Sequence, residues 1–428
     1  TGENMTKLKR KDLLFLGLTL FSMFFGAGNL IFPPFLGEQA GNQAIIAGLG
    51  FIVSAVGLPV LGVIAVAKAD GLNTLASRVH PRFADLFTLL IYLSIGPCLA
   101  IPRTASTSYE MVIAPFFTQQ FKFVPILYSF AFFALALYLA LNPEKLSDRL
   151  GKVLCPLLLT LITIIFLGSF FVEIHYAMPS GNYAQHQFVQ GFLDGYQTMD
   201  TIAALNFGII IALNIKNKGL KDAKTVVKYT IKAGMIAGIC LAIVYGALIH
   251  IGALSSFVTG HHSNGAQTLT AFMQYLFQNM GIVILGAVFF IACLNTCVGL
   301  ICCCSEYFVE RFAYLSYKQW AFVFAVVSML ISNIGLDMIL HISLPILNLL
   351  YPLSIVLIFL AFIHRYIQKY SYVYQITMLL TGIGSLLGIV PNPIIHSIPL
   401  SQYSLGWIPF AVIGLILGIV LSKKNIDN

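Results

Sequence analysis

The sequence predicts an all-α polytopic membrane protein of about 12 transmembrane helices, ten of them forming a 5+5 inverted repeat. Helices 1 and 6 are broken in this reading, and two extra C-terminal helices follow the repeat. Three observations predict it. Of 428 residues, 58% are hydrophobic and 9% charged, against about 25% charged in an ordinary soluble domain. With 24 basic and 16 acidic side chains, a soluble globule of this length has no solvated coat. Apolar runs also recur along the whole chain, at lengths suited to a ~30 Å hydrocarbon layer that needs about 20 residues per helix. Finally, the basic residues fall in alternate connections. The same apolar excess excludes a disordered chain, and the runs lack the alternation over about ten residues that a membrane barrel needs.

Polar and Pro/Gly punctuation places spans near 13–36, 43–67, 83–111, 121–141 and 152–172. Five more follow near 188–214, 226–252, 280–305, 319–335 and 338–362, and a last pair near 374–391 and 404–422. The ninth is short and almost joined to the tenth through Gly335–Asp337. The chain thus divides into an arm (1–12), a first repeat (13–172), a second, inverted repeat (188–362), helices 11 and 12 (374–422) and a tail (423–428). Thr1–Asn4, ahead of Met5, reads as an expression remnant, and no cleavable signal is expected because the first apolar run is too long for one.

Lys7, Lys9, Arg10 and Lys11 lie in the arm. Alternate connections then carry Lys68, Arg78 and Arg82; Lys145, Arg149 and Lys152; Lys216, Lys218, Lys221, Lys224, Lys228 and Lys232; Arg311 and Lys318; Arg365 and Lys369; and Lys423 and Lys424. The connections between them hold Lys122 alone. By the positive-inside rule both termini face the cytoplasm and the number of spans is even. The net charge of +8 is therefore orientation, and a nucleic-acid partner is not expected.

A helix broken at membrane depth needs protein or a cavity to receive its freed backbone groups. The first span reads Leu20-Phe-Ser-Met-Phe-Phe-Gly-Ala-Gly-Asn-Leu-Ile-Phe-Pro-Pro34, with Gly26, Gly28 and Asn29 near its middle. The sixth reads Gly191-Phe-Leu-Asp-Gly-Tyr-Gln-Thr-Met-Asp-Thr201, with polar groups from Gly195 through Asp200 near its midpoint. Gly-Ala-Gly alone is equally a helix-packing patch. A second break five spans later, on an antiparallel span, favours paired discontinuous helices around a midplane site.

Charge at membrane depth is costly and tends to be functional. Arg103, on the outer half of the third span, and Asp200 are the two most buried-looking opposite charges, so pairing between them is the economical expectation. That pair is either a fixed lock between helices or part of a site. Glu110 and Asp194, nearer the outer interface, are expected to be solvated. On the eighth span Ala292, Thr296, Gly299 and Cys303 form a small-residue stripe with Asn295 beside it. Close helix packing explains the stripe; Asn and Thr oxygens there also suit Na⁺.

All eight cysteines fall inside spans, so no disulfide framework is expected. Cys302–Cys304 point in different directions on a helix and read as filler, not as a metal site. His261 and His262 lie in an outside loop, and His250 and His341 read as packing residues. No paired acids, metal-ligand cluster or nucleophile–base set shares one depth, so no enzyme is expected and no cofactor is called for.

The stretch Leu16-Gly-Leu-Thr-Leu-Phe-Ser-Met-Phe-Phe-Gly-Ala-Gly-Asn-Leu-Ile-Phe-Pro-Pro34 resembles the opening of the bacterial branched-chain amino acid carriers, the cation symporter family for leucine, isoleucine and valine. Ile95-Gly-Pro, Ile101-Pro-Arg-Thr-Ala105, Gly191–Asp200 and the eighth span through Ser305-Glu306 support it. Asn295 stands where the family leads one to expect Thr. The resemblance implies the sodium-coupled leucine-transporter-like fold of the amino acid–polyamine–organocation superfamily, in a bacterial plasma membrane. Gly26-Ala-Gly-Asn29 is more distantly similar to the break of the bacterial leucine transporter.

Carried over by position, the resemblance implies that the substrate carboxylate meets backbone N–H groups around Ala27 and Gly28, at the dipole-positive start of the outer half-helix. Carbonyls of Ser22 and Phe25 would face a sodium ion shared with Ala292, Asn295 and Thr296. Tyr196, Gln197 and Thr198 would offer oxygens to the ammonium, and Phe24, Phe25 and Tyr196 would wall the aliphatic side chain. Implied partners are leucine, isoleucine, valine, Na⁺ and the lipid bilayer. Proton coupling through Asp200 or Glu110 is the alternative; an ion channel is the rival outside the carriers. Helices 11 and 12 lie outside the repeat and receive no role.

Overall fold

The first span divides where its side chains vanish. In the computed structural model, which describes residues 8–116, 123–141, 155–220, 222–389 and 398–424, α1 (Arg10–Phe24) stops at Phe25 and Gly26, both extended, and α2 (Ala27–Ala40) restarts the helix. Asn29 holds the restart: its Oδ1 accepts the Gly26 N–H at 3.0 Å. A Cβ on Gly26 would lie 2.6 Å from Thr296 Oγ1, so glycine is required there by close approach.

The second span is α3 (Ala44–Ile52) and α4 (Leu58–Ala69), joined by a π turn at Val53–Gly57. After α5 (Leu72–Ser77), the third is α6 (Pro81–Leu93) and α7 (Ala100–Val112). Gly96 and Pro97 kink it in a second π turn at Ser94–Cys98, the position where proline cannot donate and a helix bends. α8 (Phe123–Ala140) and α9 (Cys155–Ser169) follow.

The sixth span is also broken. α10 (Gln187–Asp194) runs through a 3₁₀ turn, Gly195–Thr198, to Met199, whose φ of 67° is left-handed, and α11 (Asp200–Asn217) leaves at a 50° bend. Then come α12 (Ala223–Val258), α13 (Gly265–Arg311, kinked at Gln278), α14 (Tyr317–Ser332), α15 (Leu336–Ile367), α16 (Val373–Ile389) and α17 (Trp407–Lys424). Gly335, at φ 94°, separates α14 from α15, so the two short-spaced spans are distinct helices.

No strand occurs among the described residues. Six helical stretches there are long and apolar enough to cross a membrane, seven if the bent sixth pair is one span, and four shorter apolar helices accompany them. Large apolar side chains such as Ile45, Ile126, Ile243 and Leu330 stay exposed on outer faces, as a lipid solvent permits. The segments carrying Lys122, Lys145, Arg149, Lys152 and Lys221, residues 1–7 and residues 425–428 lie outside the described residues.

Backbone contact fixes the outer half-helix. A Cβ on Gly37 would sit 2.0 Å from the Ile249 carbonyl oxygen, one on Gly252 1.9 Å from that of Pro34, and one on Gly265 1.7 Å from that of Ile31. α2 is thereby pressed against α12 and the start of α13 at distances only glycine allows.

Candidate functional site

The two breaks meet. Asn29, one turn into α2, donates from Nδ2 to Asp200 Oδ2 at 2.6 Å and also to the Tyr245 hydroxyl. Tyr245, on α12, donates in turn to Asp200 Oδ2 at 2.9 Å. With Oδ1 on the Gly26 N–H, Asn29 fills three of its four hydrogen-bonding positions, both donors included. A buried triad therefore joins the first break, the sixth break and α12.

Arg103 and Asp200 do not pair directly. No ion pair within 4.0 Å joins them; the Arg103 guanidinium instead donates from Nη1 to the Gln197 carbonyl at 2.7 Å and from Nη2 to that of Thr198 at 3.3 Å. The reason is the 3₁₀ turn, which frees those carbonyls and turns them to α7. Arg103 is 3% exposed, its Nε has no partner, and its Cζ stands 5.7 Å from the centre of the Phe32 ring.

Between these groups lies a cavity of about 30 Å³, lined by Phe24, Gly26, Ala27, Gly28, Asn29, Arg103, Thr198, Asp200 and Thr296. Met23, Ile95, Ala100, Thr104, Met199, Ala203, Phe207 and Leu300 complete it. Its size is about one water's share of liquid volume, so an amino acid enters only if the walls separate.

A second cluster lies beside it, at the end of α1. Asn295 Nδ2 donates to the Ser22 carbonyl at 3.1 Å and to the Ser22 hydroxyl, and Thr296 Oγ1 donates to the Phe25 carbonyl at 3.3 Å. Asn295 Oδ1 is buried without a partner. Ala292, one turn earlier on α13, is fully buried.

A profile of the family described as branched-chain amino acid transport protein matches residues 9–425. The chain is 41% identical over 430 residues to the branched-chain amino acid transport system 2 carrier protein of Pseudomonas aeruginosa, covering 98% of each chain. It is 40% identical to the branched-chain amino acid permease BrnQ of Bacillus subtilis, covering 97% of this chain and 98% of that one. The chain belongs to the branched-chain amino acid transport protein family. It is a multi-pass membrane carrier of a bacterial family and not an enzyme.

The carrier's fold is of the leucine-transporter type. It superposes on MhsT in complex with L-phenylalanine at a TM-score of 0.59 and 15% identity, covering 96% of this chain and 98% of that one. Mhp1, a nucleobase-cation-symport-1 family transporter with bromovinylhydantoin bound, gives 0.61 and 13%, covering 96% and 92%.

Of the residues expected at the carrier's substrate site, Phe24, Gly26, Ala27, Gly28 and Thr198 line the cavity, whereas Phe25, Tyr196 and Gln197 do not. The Phe25 ring stacks on Phe21 at 5.2 Å, one helical turn back. Tyr196 stacks on Tyr351 at 4.3 Å, its hydroxyl buried without a partner. Phe207, 5.6 Å from Phe24, supplies the aromatic wall instead. Asp194, expected in solvent, accepts from the Tyr183 hydroxyl and from Gln190 Nε2 at 2.9 Å.

Sequence reasoning missed Tyr245, because a tyrosine inside an apolar span carries no mark until its partner is known. It also set aside His261 and His262. His262 donates its backbone N–H to Glu38 Oε1 at 2.7 Å and places Nδ1 2.8 Å from Oε2, while His261 Nδ1 lies 3.9 Å from Oε1. The Glu38 side chain, at the end of α2, is 0% exposed. The signal was Glu38, which falls just past the expected end of the first span at residue 36 but lies on α2.

Proposed function

We propose that this carrier imports leucine, isoleucine and valine by Na⁺-coupled symport, with alternating access around the paired breaks. What supports the reading most is the oxygen cluster where α1 ends: the Ser22 carbonyl and hydroxyl, the Phe25 carbonyl and Thr296 Oγ1 meet there, beside the Asn295 amide, whose Oδ1 has no partner. Na⁺ is a hard cation served by such neutral oxygens near a broken helix. Held between α1 and α13, the ion would order the first break. Thr296 both joins this cluster and lines the cavity, so ordering of the ion cluster and of the substrate wall would be linked. Release to a low-sodium cytoplasm would loosen both, and coupling follows because the ion binds the ordered state better.

The substrate carboxylate would meet the N–H groups of Ala27 and Gly28 at the start of α2. In this reading the chain crosses the membrane about twelve times as a five-plus-five inverted repeat with two further helices. Both termini are cytoplasmic, as the basic connections require. A proton-coupled reading rests on Asp200, a buried carboxylate shared by both breaks.

Uptake of labelled leucine into proteoliposomes, with sodium and proton gradients imposed separately, tests the proposal. Accumulation is expected under an inward sodium gradient at equal pH. Accumulation under a proton gradient alone, with none under sodium, selects the proton reading.

A further inference from the structure

Arg103 is a buried cation with no anion within ion-pair distance. It has five N–H donors in a rigid fork; two meet carbonyl oxygens of the sixth break and Nε meets nothing. A buried guanidinium left with neutral partners is costly, and a carboxylate is the ligand that offsets the cost. Asp200, the carboxylate whose charge acts on Arg103, takes its two short hydrogen bonds from Asn29 and Tyr245 on Oδ2 alone. Arg103 and Asp200 both line the one cavity.

Placement gives the poles a direction. A Cβ on Gly28 would be 2.8 Å from Arg103 Nη2, so the guanidinium lies against the first turn of α2. Its charge and the unsatisfied N–H groups of that helix start act on the same corner of the cavity. Asp200 is anchored from the α12 side by Tyr245. Apolar walls from Met23, Phe24, Ala203 and Phe207 complete the cavity.

We propose that Arg103 and Asp200 are the two poles of a zwitterion site: the Arg103 guanidinium shares the substrate's carboxylate with the start of α2, and Asp200 receives its ammonium. The lock and the site are then one arrangement, since the same guanidinium holds the carbonyls of Gln197 and Thr198. This rests on the amino acid reading of the cavity given above.

Binding of leucine, leucinamide (no carboxylate) and 4-methylpentanoate (no ammonium) to the purified full chain in sodium buffer tests it. Wild type is expected to prefer leucine to both. Arg103→Gln should shrink the leucine-to-leucinamide preference by about 10- to 100-fold, the range of a lost charge-assisted hydrogen bond. It should leave the leucine-to-4-methylpentanoate preference near its wild-type value. Asp200→Asn should do the reverse. A purely structural Arg103 would weaken all three ligands alike with ratios unchanged, and that result overturns the proposal. Should Arg103→Gln not fold, Arg103→Lys carries the same comparison: its single ammonium cannot serve both carbonyls and a carboxylate, so the leucinamide ratio must still fall. If wild type binds none of the three, the amino acid reading itself fails, which is a different outcome.

Discussion

Asn29 and Tyr245 tie the two breaks together through a single carboxylate oxygen of Asp200. Removing the Tyr245 hydroxyl takes a donor from Asp200 and an acceptor from Asn29, both buried. A buried group left unpaired costs about 1–3 kcal/mol, or roughly 5- to 150-fold in an equilibrium. Tyr245→Phe should therefore lower kcat/KM for leucine uptake within that range while the protein remains folded. Tyr196→Phe is the control: that hydroxyl has no partner, so its loss should leave both uptake and stability near wild type. For the ion cluster, Asn295→Ala and Thr296→Ala should each raise the sodium concentration for half-maximal uptake. Unchanged sodium dependence in both would remove the cluster from the mechanism.

At this scale the sequence was readable where a residue type broke its context. Gly26, Gly28 and Asn29 interrupt an apolar run, and Asp200 and Arg103 are charges at membrane depth. Tyr245 breaks nothing, and its role exists only through side chains 45 and 216 residues away. The direct Arg103–Asp200 pair fails for a related reason. Sequence marks the charges, whereas the carbonyls that Arg103 binds become available only when the backbone takes up a 3₁₀ turn.

Among the helices, α2 is held by close backbone contacts. Gly37→Ala or Gly252→Ala would bring a methyl within about 2 Å of a carbonyl oxygen, so the helices must part, and loss of expression or a clear drop in apparent unfolding temperature is expected. Gly246→Ala, on α12 with nothing within 4 Å of its added Cβ, should be silent in the same thermal-shift assay. The far end of α2 is held by Glu38 and His262. His262→Ala leaves a buried carboxylate short of a partner and should lower the unfolding temperature. Glu38→Gln made on top of it should recover part of the loss, because the charge is then gone.

Across the whole molecule, the count of charges and their positions carried most of the fold. A 9% charged chain with its cations in alternate connections has few architectures open to it, and the family match agrees with that class. The two π turns, at Val53–Gly57 and Ser94–Cys98, were not legible as such. Ile95-Gly-Pro marks the second, and Pro59, which has no N–H to give the Ala55 carbonyl one turn back, marks the first; the sixth break packs on it, with Thr201 Oγ1 3.5 Å from the Ser54 carbonyl. The kink at Gln278 was likewise hidden, since the expected eighth span began just past it. Local sequence records propensity; these bends record the neighbour.

The cavity between the breaks has one more consequence. Two of its walls, Phe24 at 2% and Phe207 at 1% exposure, are buried, and a space of about 30 Å³ leaves no room for an open pore at this depth. With the ion coupling proposed above, charge then moves only as fast as whole molecules cycle. Under voltage clamp in a planar bilayer, leucine should evoke a smooth current that saturates with leucine and scales with the number of carriers, and discrete unitary openings would contradict the enclosed cavity.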